Sequence, residues 1–513
     1  MSGEAGMSGD GLSEEQLREA AAHGIRWSAI ARPTVEVIQL GSIVILARLI
    51  VPAEFGRFAI ALVVQEVAYA VGGAGLNAAL VQRKALGREH QQTAMAMGLI
   101  VGLTLAVLTL VAASLIVVPI FGARTALFVR LLAPLGLLAA LNTVPMSALQ
   151  RRMAFRRVSE IEILNTVVRV VVCIGLALAG LGGEALVLGL IAGLVAGLIA
   201  ACLSAPPPLP RLRRAAAREL LDYAVPVTLA SISSLGFSNV DYLIIGARLG
   251  PLQTGYYYRA YTLAVEYQRK IAIVMNQVGF PILARTGSKA EFGQLYRMMI
   301  RLLTVMLFPL LVLLVIAAPV IVPFLFGPHW APVIAPVQIL ALGGASTIIF
   351  NAVETAFLAT GRGSALFGFG TANFIVYGVS VWLVAPLGIT AVAIDAAVVH
   401  TLFAIIAYSL MLRGSTERPI RRLWSDVAPA AVSCLGLVAV VLPVSLALSA
   451  LRTPAFLWLT VLGIVAAPPY LLTLRTCFPA AWRAQCTALE RILPSHRRLN
   501  GVKRRLEAAA AVH

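Results

Sequence analysis

The sequence predicts an all-α integral membrane protein with about 14 transmembrane helices, arranged as two pseudo-symmetric six-helix bundles around a central cavity plus two C-terminal helices. Three observations carry this prediction. Hydrophobic residues make up 59% of the chain and charged residues only 12%, with a mean hydropathy of +0.89, whereas soluble domains are roughly 25% charged. Apolar runs of helical length recur from residue 25 to residue 474, each near the ~20 residues that cross a bilayer's hydrocarbon. Arginine and lysine are rich in every second connection and sparse in the others, as a multi-pass topology requires.

Taken in order, the spans read 25–47, 58–81, 93–121, 126–149, 161–181, 184–205, 224–247, 256–284, 302–326, 333–360, 364–385, 388–411, 425–449 and 455–474. Residues 1–24 precede them as a polar segment with Glu4, Asp10, Glu14, Glu15 and Glu19. With no cleavable signal in view, this segment is expected to stay in the cytoplasm as a short acidic helix, Ser13 capping its N-terminus and Glu14 and Glu15 complementing the first turn. On that orientation the cytoplasmic segments hold 29 Lys and Arg and the outer loops 7. The net charge of +18 is thereby explained by orientation and anionic lipid, with no call for nucleic acid. Both termini fall on the cytoplasmic side, the C-terminal one as a basic tail over 477–513. The five cysteines contain no CxxC pair and read as small buried hydrophobes, neither disulfide framework nor metal site.

The proline-rich stretch with Pro206, Pro207, Pro208 and Pro210 divides the chain into halves that resemble each other. Ala47-Arg48-Leu49, Gly56 and Val81-Gln82-Arg83 correspond to Ala247-Arg248-Leu249, Gly255 and Leu283-Ala284-Arg285, and Pro119-Ile120-Phe121-Gly122 corresponds to Pro323–Gly327 with one inserted residue. Six spans per copy is an even number, so the copies share one orientation and should be related by an axis along the membrane normal. The expected domains are an N-lobe over 25–205, a cytoplasmic linker over 206–223, a C-lobe over 224–412 and a final pair of spans within 413–476. Parallel halves about a central site suit alternating access. Every connection is short, so any chemistry belongs in the membrane or at its surface.

Polar residues inside the spans mark the site, because a charge facing lipid costs at least ~2.5 kcal/mol at mid-bilayer. In 256–284, Arg259, Glu266, Lys270 and Gln277 fall within roughly 20° of one another at 100° per residue. This stripe is read as lining a water-filled cavity; the alternative is that Glu266 merely neutralises Arg269 or Lys270 one turn on. The first span aligns Ser28, Arg32, Glu36 and Gln39, and the seventh aligns Ser231, Ser234, Ser238 and Asp241 more loosely. Glu66 aligns with Asn77, and Glu162 with Arg169 as functional or purely structural partners. Asn351, Glu354, Asn373, Asp395 and His400 add to the second half, His400 being read as structural. Gly189, Gly193 and Gly197 form a GxxxGxxxG ridge for close helix packing, while Gly72, Gly73 and Gly75 interrupt the second span. No GxxxxGK[ST] loop for ATP is present.

The run Asp241–Gly250 (DYLIIGARLG), Gly255-Tyr256-Tyr257, Arg259-Ala260-Tyr261 and Gly279–Arg285 (GFPILAR) resembles the signature of polysaccharide-export flippases, the superfamily that also holds multidrug and toxin extrusion transporters and the lipid II flippase. The resemblance implies a bacterial inner-membrane transporter, not an enzyme. It implies movement of undecaprenyl-pyrophosphate-linked oligosaccharide to the periplasmic leaflet for O-antigen, exopolysaccharide or capsule synthesis, with a cationic cavity receiving the pyrophosphate. Such a group cannot cross hydrocarbon unshielded, and Arg or Lys donors suit it. Arg32, Arg269 and Lys270 have the right depth, Arg248 and Arg259 lie nearer the outer face, and Gln277 completes the substrate-binding set. Glu36, Glu66, Asp241 and Glu266 are candidates for coupling to a Na⁺ or H⁺ gradient, and no cofactor is expected. The expected partners are membrane lipids, a polysaccharide polymerase and glycosyltransferases. An ion-coupled multidrug exporter of the same fold is the nearest rival, disfavoured by the basic stripe. A membrane polymerase or ligase is the more distant one, since it calls for a sizeable outer loop.

Overall fold

The computed structural model describes residues 14–69, 71, 73, 75–82, 87–266, 268, 283, 286, 288–360, 362–411, 419–483 and 485. Among them every regular element is helical. The chain divides into two compact units, Met1–Gly255 and Tyr256–His513.

The first unit holds α1 (Glu14–Leu49), α2 (Pro52–Tyr69), α3 (Gly75–Gln82), α4 (Arg88–Ala112), α5 (Val118–Phe121), α6 (Ala123–Leu132), α7 (Pro134–Arg151), α8 (Phe155–Leu178), α9 (Glu184–Ser204) and α10 (Arg214–Leu249), with a π-helical turn at Ala113–Val117. α8 packs on α1 and α9, α7 on α4 and α9, and α10 on α2, α3 and α4. The α8–α9 contact uses the predicted ridge: a side chain at Gly189 or Gly193 would meet Cys173, the Arg169 backbone and Asn165 at 2.6–2.8 Å. Small residues there let the backbones approach, which is how apolar helices associate where lipid supplies no hydrophobic drive.

α11 (Pro251–Tyr261) straddles the division between the units. The second unit continues with a π-helical turn at Thr262–Glu266, α12 (Lys289–Phe326), α13 (Ile334–Ala359), α14 (Gly363–Val384), α15 (Ile389–Met411), α16 (Pro419–Ala450) and α17 (Ala455–Cys477), with 3₁₀ turns at Pro328–Val333 and Ala385–Leu387. Its core joins Leu303, Leu307 and Leu311 of α12, Ile348 and Ala352 of α13, Tyr408 of α15, Leu437 and Val441 of α16, and Trp458, Leu462 and Tyr470 of α17. The α17 stripe Trp458, Leu462, Ala466, Tyr470, Leu474 recurs every four residues, so one face of that helix is buried. Its other faces remain apolar and exposed, with Ile464 at 70% and Leu472 at 63%, as a lipid-facing surface requires.

Ten helices among the described residues are long and apolar enough to cross a membrane, and the chain is a multi-pass membrane protein. The four expected spans outside that set are 25–47, 58–81, 224–247 and 256–284. Helix covers the first and third: α1 and α10 are 36 residues each and carry charges along their length. The second is covered by α2 and α3, with Val71 and Gly73 between them π-helical, and a side chain at Gly75 would run into the Ala224 backbone of α10. The fourth runs largely outside the described residues. Two further expectations change. The acidic N-terminal segment is not a separate short helix, because α1 is continuous from Glu14; Ser13 lies outside the described residues. The proline-rich linker is shorter than 206–223, since α10 begins at Arg214. The linker is fastened to the start of α4, where Arg211 N donates to Gln92 O at 3.2 Å, Thr93 Oγ1 to Arg211 O at 3.2 Å and Arg213 N to Thr93 Oγ1 at 3.3 Å. The two compact units part after α10, at Gly255.

The internal duplication is visible in local geometry. α1 and α10 are of equal length and both end in Ala-Arg-Leu, and the following helices both begin with proline, Pro52 and Pro251. Gly122 and Gly327, which close the matched Pro-to-Gly motifs, adopt φ of 84° and 96° with ψ of 162° and 169°. That region is open to glycine and strained for other residues, so the same helix stop is built twice.

Candidate functional site

Several charges of the first unit are neutralised at helix ends by named partners. Beyond the end of α1, Glu54 is 7% exposed and accepts from Arg57 Nη1 at 2.5 Å and Arg124 Nε at 3.0 Å, while Arg124 Nη2 reaches Glu184 at 3.3 Å. At the other end, Arg156 and Arg157 both pair with Glu160, and Arg213 with Glu89. Structural pairing of this kind accounts for much of the surface charge.

Three groups in the spans of the first unit are of a different kind. Arg32 lies on α1, exposed, and α1 packs against α8, which carries Glu162. The two helices also meet through Arg156, whose guanidinium sits 5.0 Å from the Trp27 ring. The Glu162–Arg169 alignment on α8 joins no hydrogen bond or ion pair among the described contacts. Glu36, one turn beyond Arg32, is half-buried. On α2, Glu66 Oε2 accepts from Asn239 Nδ2 of α10 at 2.8 Å. Beside it, Gln65 is 2% exposed, and both polar atoms of its amide lack a hydrogen-bond partner among the described residues. Buried amides are nearly always satisfied, so this point of α2 has unused hydrogen-bonding capacity. Asp241 follows Asn239 on α10, is 1% exposed and accepts from the Tyr242 backbone N–H at 2.9 Å. Arg248 ends α10, exposed. The side chains of Ser28, Ser231, Ser234 and Ser238 lie outside the described residues.

In the second unit the expected stripe is altered. A straight helix at 100° per residue puts Arg259 and Glu266 on one face, but the π-helical turn Thr262–Glu266 intervenes. A π turn closes i to i+5 and so moves everything beyond it around the axis. Arg259 is 4% exposed, and its guanidinium carbon lies 5.6 Å from the Tyr258 ring, 6.0 Å from Phe326 and 5.9 Å from Trp330. An aromatic wall of this kind holds a cation through the ring quadrupoles; Arg259 is packed there and does not face open water. Glu266 closes the π turn, half-buried. Arg269, Lys270 and Gln277 lie outside the described residues.

The later helices bring together a polar chain that the sequence showed only as scattered residues. Ser380 Oγ donates to Asp395 Oδ2 at 2.8 Å, Tyr257 and Tyr377 hydroxyls are 3.3 Å apart, and the Tyr377 ring stacks on His400 at 4.7 Å. His400 Nδ1 lies 2.7 Å from Ala396 O on its own helix, which fits a structural histidine. The residues missed in the sequence are Gln65 and Asn239, and in the second unit Asp426 with its arginines. Gln65 and Asn239 left no signal beyond an amide in an apolar run.

The arrangement provides charged and amide groups on helices that otherwise suit lipid. The chain is 24% identical over 373 residues to the teichuronic acid biosynthesis protein TuaB of Bacillus subtilis, covering 71% of this chain and 76% of that protein. It is 24% identical over 420 residues to the lipopolysaccharide biosynthesis protein WzxC of Escherichia coli, covering 80% and 85%. The fold is similar to that of lipid II flippase MurJ in an inward closed conformation, with a TM-score of 0.72 at 13% identity over 89% of this chain and 99% of that one. Residues 45–335, from the end of α1 to the start of α13, match the family described as polysaccharide biosynthesis protein, and the chain belongs to that family.

Proposed function

We propose that this protein is a flippase that moves an undecaprenyl-pyrophosphate-linked oligosaccharide across the bacterial inner membrane by alternating access, for synthesis of O-antigen, exopolysaccharide or capsule. The observation that carries this reading is the placement of Arg32. A guanidinium in a membrane-spanning helix is expensive unless it faces protein, water or an anion, and Arg32 is exposed on α1, the helix that packs against α8. A pyrophosphate is an anion for which arginine's planar donors are suited. Family membership and the names of TuaB, WzxC and MurJ support a lipid-linked glycan as cargo. The termini then lie in the cytoplasm, Arg248 receives the anion near the outer face, and Arg269, Lys270 and Gln277 extend the donor set. Arg259 belongs to the proposed set, its guanidinium walled by aromatic rings. A polymerase and glycosyltransferases supply and consume the cargo.

The test is transfer of a labelled undecaprenyl-pyrophosphate oligosaccharide in proteoliposomes. Wild type is expected to flip it, and Arg32→Ala and Lys270→Ala to do so about tenfold more slowly or worse, since a hydrogen bond to a charged group is worth about 1.5–3 kcal/mol. A wild type that leaves this lipid in place but clears organic cations would make the protein an exporter instead.

Coupling is assigned to the carboxylates. Glu66, held by Asn239 beside the unsatisfied Gln65, is the first of these, with Glu36, Asp241 and Glu266 as the others. Glu66→Gln is expected to leave transport indifferent to an imposed Na⁺ or H⁺ gradient while keeping its amide contact with Asn239. A variant that still accelerates with the gradient removes Glu66 from the coupling path.

A further inference from the structure

At one end of the second unit, α12, α16 and α17 surround a group of charges that transport does not require. Asp426 on α16 is completely buried, at 0% exposure. It accepts Arg297 Nε at 2.8 Å and Nη2 at 2.9 Å, Arg301 Nη2 at 2.9 Å and the Tyr408 hydroxyl at 3.2 Å. Two guanidiniums share one carboxylate, which leaves a net positive charge. The two arginines also line a cavity of ≈ 170 Å³ with Gln294, Gln485, Met298 and Leu302. Among the described residues no acid lines this cavity, and Arg301 Nε is buried without a hydrogen-bond partner there. At about 30 Å³ per water, the space holds a tetrahedral oxyanion with a few waters.

The depth of the cavity identifies the source of that oxyanion. α12 has 38 residues, about 57 Å at 1.5 Å per residue, so its ends extend well beyond a hydrocarbon core of ~30 Å. Arg297 and Arg301 lie in its first half, Asp426 lies near the start of α16, and Gln485 lies just past the end of α17. All three helices therefore bring the cavity to headgroup level. From it, Met298, Leu302, Met306 and Leu310 descend α12 at four-residue intervals, with Met298 at 42%, Met306 at 52% and Leu310 at 52% exposure. An acyl chain lies naturally along such a strip.

We propose that this cavity is a binding site for the phosphate of an anionic phospholipid, a resident lipid distinct from the transported cargo, which fastens α12 to the segment that follows α17. Basic pockets between membrane helices recognise lipid phosphates in this manner. Arg301 supplies the unused donor, Gln294 and Gln485 flank it, and Arg297 stays committed to Asp426.

The experiment is native mass spectrometry of the delipidated full chain titrated with phosphatidylglycerol, phosphatidylcholine or inorganic phosphate. Wild type is expected to retain phosphatidylglycerol roughly tenfold more strongly than phosphatidylcholine, with inorganic phosphate a weak competitor. Arg301→Gln and Gln294→Glu should each remove most of that preference. The second variant places a negative charge at the cavity and leaves the Asp426 contacts intact, so its loss of lipid cannot come from a disrupted core. Equal retention of both lipids by wild type, or an unchanged preference in folded Gln294→Glu, overturns the proposal. Strong binding of inorganic phosphate with no lipid preference overturns the lipid as its source.

Discussion

Asp426→Ala is expected to lower the stability of the second unit by about 3 kcal/mol, the largest effect of any single side chain in that core. Removing one partner of a buried ion pair costs about 3–5 kcal/mol because the remaining charge is left without compensation. The lower end applies here, since the Arg297 and Arg301 side chains keep 27% and 31% of their exposure and water reaches them in part. The carboxylate is also the point where α12, α15 and α16 meet: Arg297 and Arg301 come from the first, Tyr408 from the second and Asp426 from the third. Tyr408 in turn stacks on Tyr296 at 5.9 Å, and Tyr296 on Phe292 at 6.1 Å. Apparent melting in detergent micelles reads the effect directly. Combining Asp426→Leu with Arg297→Leu should recover part of the loss, because it removes one of the two stranded charges and leaves only that of Arg301. If Asp426→Ala melts within about 1 kcal/mol of wild type, the cluster contributes little and Asp426 is replaceable.

The second large effect concerns two glycines at equivalent positions of the duplication. A Cβ on Gly56 would lie 2.7 Å from the Pro251 carbonyl carbon and 2.8 Å from Gly255 N. One on Gly255 would lie 2.8 Å from the Pro52 carbonyl carbon and 3.1 Å from Gly56 N. The obstacles are backbone atoms, which cannot rotate aside, so even alanine forces the first turns of α2 and α11 apart. Gly56→Ala and Gly255→Ala are each expected to cost about 1–3 kcal/mol, as overpacking does. Leucine at either site should prevent the helix starts from meeting. Gly41→Ala is the control, since nothing lies within 4 Å of a Cβ there and alanine favours helix over glycine by roughly 0.5–1 kcal/mol. Thermal unfolding should separate the two classes by sign. If all three variants behave alike, the close approach carries no energy.

These two sites show different degrees of legibility. The Gly56–Gly255 correspondence was readable because the duplication repeats Ala-Arg-Leu and then glycine at an offset of about 200, although only the structure shows the two glycines in mutual contact. The glycine ridge of α9 was equally readable, since GxxxGxxxG places three small residues on one face. Asp426 left no signal: an aspartate near the start of a span looks like an ordinary helix end, and its partner Arg297 is 129 residues away. The π-helical turn at Thr262–Glu266 left no signal either, because a uniform 100° step cannot anticipate it.

The chain alone determined which segments leave water, where most spans begin and end, and that one six-span pattern occurs twice. Those properties follow from hydropathy and from periodicity within a single helix, both of which are local. The span 455–474 against α17 at Ala455–Cys477 is one instance. The tertiary structure decided which charges are satisfied and by whom. It gave Glu66 an amide from Asn239, Asp426 two arginines and Arg259 an aromatic wall. Each of those depends on which faces of distant helices meet, and in a membrane that choice is made by side-chain packing and polar complementarity between helices of nearly uniform hydrophobicity.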